Sequence, residues 1–399
     1  MKSLTQKATV AASPLLVLFA FALPLSTSAG SILAILLILS WLMIGKIPAK
    51  LGEIIRNPVA IAVLLYVVLH IIGLLWTEDL TWGLEILKKQ WKLLLFPILL
   101  SIVKKEHTKY YLAAFVSAIF IKACKAYLVW LGIVNLPPSS IFTTLGTTHV
   151  MYNPMLALAC YIVLQSLLFT THKPLAKCLH VALFLFLSCN MFITVGRTGQ
   201  VAFFVLLLVT IFQYCYKISK VKLLAALILL PLLIVATYQW SPTFRDRSKL
   251  AMTEMYNYKS CEITSVGLRV WFSKNTALLI KDNLLTGTGT GDFPMEYAKI
   301  NKIYSPTLPN TDNPHNQYLL VLSQFGVVGF ISLTAIFCSQ LIWAFKKRDA
   351  LTPLRQAFPI FFLVIMLAES YLQVYSTGFL FSLFSSFLYK DFSNQSTLT

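Results

Sequence analysis

Runs of about 20 apolar residues recur along this chain, each long enough to cross the hydrocarbon of a bilayer as a helix. Lipid offers the backbone no hydrogen bonds, so a chain built from such runs folds as a bundle of spanning helices. The runs lie at roughly 10–27, 29–45, 58–76, 84–103, 110–131, 151–170, 175–193, 197–215, 219–238, 324–345, 357–373 and 375–389. They predict an all-α polytopic membrane protein of about twelve transmembrane helices. Composition agrees, because 57% of the 399 residues are apolar and only 12% are charged, outside the range of soluble domains. Lys2 and Lys7 ahead of the first run imitate a secretion signal, but a second span follows at once and the first is expected to be a retained anchor.

Lysine and arginine near span ends are held on the cytoplasmic side, and here they alternate with the spans. One set of connections holds Lys2 and Lys7; Lys46, Lys50 and Arg56; Lys104, Lys105 and Lys109; Lys173 and Lys177; Lys217, Lys220 and Lys222; Lys346, Lys347, Arg348 and Arg355; and Lys390. That is more than half of the 33 cations. The opposite connections, Ser26 to Gly30, Thr77 to Gly83 and Gly132 to Val150, hold none. Both termini are therefore expected in the cytoplasm. The net charge of +18 reads as topology and contact with lipid headgroups. No basic, aromatic-interleaved soluble domain exists to bind nucleic acid. The seven cysteines show no paired spacing, and all but Cys261 fall in expected spans.

One connection is out of proportion. Three divisions follow: spans one to nine over about 1–240, an outer subdomain of short helices over about 241–316, and spans ten to twelve with a short tail over about 317–399. The middle division is nearly charge-balanced, as a folded, solvated surface would be. Within it, Ser265-Val266-Gly267-Leu268-Arg269 opens an amphipathic helix to about Lys281, and Gly287-Thr288-Gly289-Thr290-Gly291 follows. That glycine run lacks the Gly-Lys-Ser/Thr ending of a nucleotide cradle, so a turn needing positive φ is expected. Further on, Asp312-Asn313-Pro314-His315-Asn316 leads into an apolar run. His315 after Pro314 suits a helix start that Asn313 caps, and an imidazole there also suits proton transfer near neutral pH.

Charges within spans are costly, and their presence points to function. Lys88, Lys89 and Lys92 lie on the fourth span, with Lys88 and Lys92 one turn apart; Lys122 and Lys125 lie on the fifth. All five fall in the outer half, where they predict a cationic vestibule with Glu369 as the candidate counterion. Snorkelling to the interface accounts for Lys88 and Lys89 equally well, and less well for Lys92 and Lys122. Arg197, in Gly196-Arg197-Thr198-Gly199 between spans seven and eight, is the one cation in a short outer turn. With Arg269 it suggests an anion site, since a guanidinium grips phosphate oxygens with a planar fork.

These motifs, in this order and on one membrane face, resemble the O-antigen ligase and polymerase superfamily of bacterial membrane glycosyltransferases, most closely the ligase. The motif-bearing likeness covers roughly residues 190–340. It implies a GT-C-like integral-membrane enzyme of the inner membrane that needs no metal or other cofactor. Its donor would be an undecaprenyl-diphosphate-linked glycan and its acceptor a sugar hydroxyl of lipid A core, joined at the periplasmic face. By match to the motifs, Arg197 and Arg269 would hold the diphosphate and His315 would serve the acceptor hydroxyl, with Lys88, Lys92, Lys122, Lys125, Asn313 and Asn316 as further substrate-binding candidates. O-antigen polymerase is the nearest alternative. A protein O-oligosaccharyltransferase is less expected, for want of an extra outer region near the C-terminus. A transporter of anionic lipid would suit the buried lysines but should show internal repeats and helices broken near the midplane, and the sequence shows neither.

Overall fold

The computed structural model describes residues 2–134, 143–144, 147–215, 219–258 and 263–392. Lys217, Lys259, Cys261, Glu262 and much of the connection from Gly132 to Val150 lie outside the described residues. Sixteen α-helices run in order: α1 (Lys2–Leu25), α2 (Thr27–Ile44), α3 (Ile47–Arg56), α4 (Pro58–Ile72), α5 (Leu80–Ile102), α6 (Thr108–Trp130), α7 (His149–Phe169), α8 (Pro174–Ile193), α9 (Arg197–Cys215), α10 (Lys220–Trp240), α11 (Pro242–Tyr256), α12 (Ser265–Asp282), α13 (Phe293–Tyr304), α14 (Gln317–Lys346), α15 (Thr352–Ile365) and α16 (Tyr375–Leu388). Two-residue strands at Thr143–Thr144 and Thr147–Thr148 precede α7. Local sequence sets many of the starts. Asn57 accepts from the Val59 and Ala60 amides with Pro58 in the first turn of α4; Asp79 caps α5, Ser241 caps α11 and Thr264 caps α12.

Among the described residues nine helices are long and apolar enough to cross a membrane. α5 has the length, at 23 residues, but carries Glu85, Lys88, Lys89 and Lys92. α15 and α16 are apolar but only 14 residues each. These three helices occupy the remaining expected runs, and the chain is a polytopic, multi-pass membrane protein. α3 was not foreseen: it is an amphipathic helix linking two spans, held by Lys50 Nζ donating to Trp41 O at 2.5 Å.

α16 is the central pillar, buried all round from Ser376 to Leu388. Aromatic rings fill the space about it, with Phe384 stacked on Phe358 at 5.5 Å and Phe381 edge-on to Phe362 at 5.3 Å. At one end of the bundle the buried Arg355 donates to Leu388 O (2.5 Å), Lys347 O (2.8 Å) and Asp349 Oδ2 (3.0 Å), closing the C-terminal ends of α14 and α16. Of the chain between α10 and α14, α12 packs on α14, and Thr290 Oγ1 donates to His70 O of α4 at 2.7 Å.

Two expectations about continuity are corrected. The tenth span, expected from 324, begins at Gln317 and is broken at Gly326, where φ is +59° and ψ −149°. The cause is the glycine run, which wedges against this helix: Thr288 N and Gly289 N donate to Ser323 O and Gln324 O, and Val327 N donates to Leu284 O, all at 2.9 Å. The run is a turn, with φ of +66° at Gly287 and +106° at Gly289, and Asp292 fastens it by accepting from the Glu78 and Asp79 amides. So one broken helix is present, contrary to the expectation of unbroken spans. The eleventh span, expected over 357–373, ends at Ile365; Met366 to Val374 is irregular, which takes Glu369 out of the helix.

Candidate functional site

Three pieces of chain meet at the loop-bearing end of the bundle. The first is the turn from α8 into α9. Gly196 and Gly199 press on Asn153 of α7 so closely that a Cβ at either would lie within 2.5 Å of it. Asn153 Nδ2 in turn donates to Thr194 Oγ1 at 2.9 Å. This contact fixes the first turn of α9, which presents Arg197. The second piece is the start of α12, where Glu254 Oε2 accepts from Val266 N at 3.2 Å and Arg269 lies one turn in.

The third piece couples the approach to α14 with the break after α15. Asn316, and not Asn313, caps α14, accepting from Tyr318 N and Leu319 N, while its Nδ2 donates to Leu367 O at 3.1 Å. Asn313 instead makes a turn of its own, its Oδ1 accepting from His315 N and from Ser370 Oγ, each at 2.9 Å. His315 therefore precedes the helix, with φ of +53°. A non-glycine residue there costs of order 1–3 kcal/mol and persists only where its surroundings over-determine it. Here they do. His315 Nδ1 meets Glu369 Oε2 at 2.6 Å, and its ring stacks on Phe272 of α12, centroids 6.0 Å apart at 26°.

Glu369 is thus the partner of His315, and its assignment as counterion to the buried lysines is corrected. Its Oε1 accepts from Asn313 Nδ2 at 2.8 Å and Ser370 N at 2.9 Å. Burial alone would raise this carboxyl, but the hydrogen bond and charge of His315, the Ser370 amide and Arg269 outweigh it and hold the pKa below its ordinary value of 4.5.

Glu369 also lines a polar cavity of about 40 Å³ with Arg197, Thr198, Ser265, Arg269 and Tyr371. Among the described residues neither arginine forms an ion pair, and Arg197 Nη1 is buried without a hydrogen-bond partner. Arg247 of α11 adds positive charge nearby. Two fixed guanidinium groups with hydroxyls between them suit an anion, and the adjacent imidazole suits a proton transfer.

The lysines divide. Lys88 is exposed and pairs with Glu85 at 2.5 Å, and Lys125 is exposed, so neither enters the cavity wall. Lys92 and Lys122 are each 4% exposed. Lys122 lies 6.0 Å from the Tyr152 ring, and Lys92 Nζ is turned onto Gln373 O at 2.5 Å. Asn313 and Asn316 are occupied in holding backbone and Glu369, which makes them positioning groups. Sequence reasoning missed Glu369 as the histidine's partner, Phe272 and Tyr371. The polar Glu369-Ser370-Tyr371 inside an otherwise apolar stretch was the available signal.

Residues 182–334 match a family model described as O-antigen ligase, a segment that contains Arg197, Arg269 and His315 but not Glu369. An uncharacterized protein of Haemophilus influenzae is 27% identical over 216 residues, covering 51% of this chain and 53% of that one. The chain thus spans about half the length of this curated relative. The likeness carried by the glycine-flanked arginine, the helix of Arg269 and the Asn-Pro-His-Asn turn falls within this match: over residues 182–334 this membrane protein is similar to the O-antigen ligase family.

Proposed function

We propose that this chain is an O-antigen ligase, an integral-membrane glycosyltransferase of GT-C-like architecture in the bacterial inner membrane. It moves a glycan en bloc from undecaprenyl diphosphate to a sugar hydroxyl of lipid A core on the periplasmic face, with both termini cytoplasmic. One observation carries the reading: a single carboxylate, Glu369, both holds His315 Nδ1 and borders the cavity of Arg197 and Arg269. This adjacency supports acceptor activation beside leaving-group stabilisation.

In this mechanism Glu369 accepts a hydrogen bond from His315 Nδ1–H, which leaves the Nε2 lone pair to accept the proton of the acceptor hydroxyl. The hydroxyl oxygen attacks the anomeric carbon as the bond from that carbon to the diphosphate oxygen breaks, and the diphosphate leaves with the electron pair. Direct displacement inverts the anomeric centre. A positioned base contributes about 10²–10⁴ in rate. Loss of one fixed donor to developing charge costs about 10²–10³. Arg197 and Arg269 are such donors, and Arg197 Nη1, buried without a partner among the described residues, fits a group made to meet an oxyanion.

The test is reconstitution of the purified protein in liposomes with lipid-linked glycan, with and without lipid A core. Glycan on the core only when core is supplied supports the ligase. Lengthening of the lipid-linked glycan without core assigns a polymerase instead, and no transfer in either arm refutes the transferase reading.

A further inference from the structure

Met366 to Val374 carries Glu369 and Tyr371 without regular helix; turn bonds satisfy several of its amides, among them Tyr371 N to Glu369 O and Gln373 N to Ser370 O, and other polar groups are met by outside partners. Met366 O accepts from Gln317 N at 2.9 Å and Leu367 O from Asn316 Nδ2 at 3.1 Å. Leu372 N donates to Gln317 Oε1 at 3.2 Å, and Tyr371 O accepts from Thr377 Oγ1 at 2.6 Å. Gln373 O accepts from Lys92 Nζ at 2.5 Å. Each of these anchors comes from α14, its capping residue or α16 except the last, which comes from α5.

We infer that Lys92 is a positioning residue, whose ammonium pins Gln373 O and so holds the irregular segment that sets Glu369 against His315. Burying an ammonium is expensive, so its location demands a return elsewhere. Among the described residues Lys92 forms no ion pair, and it does not line the arginine cavity. Its surroundings lock it in place. Its stem lies against Gly378, where a Cβ would come within 3.3 Å of Lys92 Cδ and Cε, and Ser382 Oγ donates to Lys92 O at 2.5 Å. The ammonium also sits 6.0 Å from the ring centroid of Tyr375, whose hydroxyl is itself bonded to Thr27 O and Ser31. A cation serving to attract the donor would instead be left free to face it.

The functional part of this inference rests on the transferase reading, but the pinning does not. The experiment compares wild type with Lys92→Met, which removes the donor group at similar volume, and with Lys92→Gln, which loses the charge but can still donate. Hydrogen exchange of amides 366–374 in the unliganded protein should quicken about tenfold in the Met variant, and less in the Gln variant. Transfer kinetics should show kcat lowered about 10–100-fold with the donor KM within about twofold, as for misplacement of a reacting group. Unchanged exchange overturns the pinning, whether or not the protein transfers glycan. Faster exchange with a raised donor KM and normal kcat overturns the link to Glu369. Should the Met variant fail to fold, Lys92→Leu, which likewise removes the donor group, carries the same two readings.

Discussion

Replacing Glu369 by glutamine tests the proton path at one atom. Glu369 Oε1 accepts from two donors, Asn313 Nδ2 at 2.8 Å and Ser370 N at 2.9 Å, so a glutamine must keep its carbonyl oxygen there. Its amide nitrogen then takes the place of Oε2 and points a proton at His315 Nδ1, 2.6 Å away in the wild type. The imidazole must answer with a lone pair at Nδ1, which moves its own proton to Nε2. Nε2 can no longer accept the acceptor hydroxyl's proton. The loss is that of a general base, about 10²–10⁴ in kcat, or about 3–5 kcal/mol of transition-state stabilisation. Donor affinity should stay within about twofold, since Arg197 and Arg269 are untouched. The assay is single-turnover transfer from radiolabelled lipid-linked glycan to lipid A core, with donor binding measured separately and folding checked by thermal melt. More than a tenth of wild-type kcat in a folded Glu369→Gln protein would refute the tautomer argument.

Other outcomes follow from the same geometry. Arg269→Lys should lose transfer nearly as completely as Arg269→Ala, about 10²–10³, because an ammonium cannot bridge two oxygens in a plane; recovery by Lys in a rate assay would mean that charge alone suffices. Gly199→Ala puts a Cβ 2.4 Å from the Asn153 backbone, so it should destabilise by about 1–3 kcal/mol and weaken donor binding by displacing Arg197; an unaltered melt and donor titration would contradict that packing. Because the folded Glu369 pKa lies below its ordinary 4.5, its stabilisation is complete above that pH and fades as pH falls through the folded value. The Tm gap between wild type and Glu369→Gln should therefore shrink as pH falls below about 4.5; a gap that widens in acid contradicts the pairing.

The bundle was legible in the sequence because lipid imposes a coarse rule, about 20 apolar residues per crossing. Arg197, Arg269 and His315 were legible because each sits in a short motif whose glycines or turn residues fix it. The breaks were not. Gly326 lies in an apolar run that reads as helix, and only the distant glycine run at 287–291 explains its φ of +59°. Met366 to Val374 averages as apolar, and its irregular course depends on Gln317, Asn316 and Lys92, none of them near in sequence. Helical spacing put Lys88 and Lys92 on one face, yet Lys88 is exposed and Lys92 buried. What differs is depth of packing against α16, which spacing along one helix does not encode. Pro314 signalled a helix start, but the Asn313 turn delays it to Gln317 and leaves His315 free to meet Glu369.

The central claim is that donor binding and acceptor activation belong to different side chains. Purified His315→Ala, reconstituted in liposomes and confirmed as folded, should bind lipid-linked glycan with an affinity within about twofold of wild type while transferring it to lipid A core at least about 10²-fold more slowly. Near-normal transfer by this variant, or donor binding lost in step with transfer, would contradict the account.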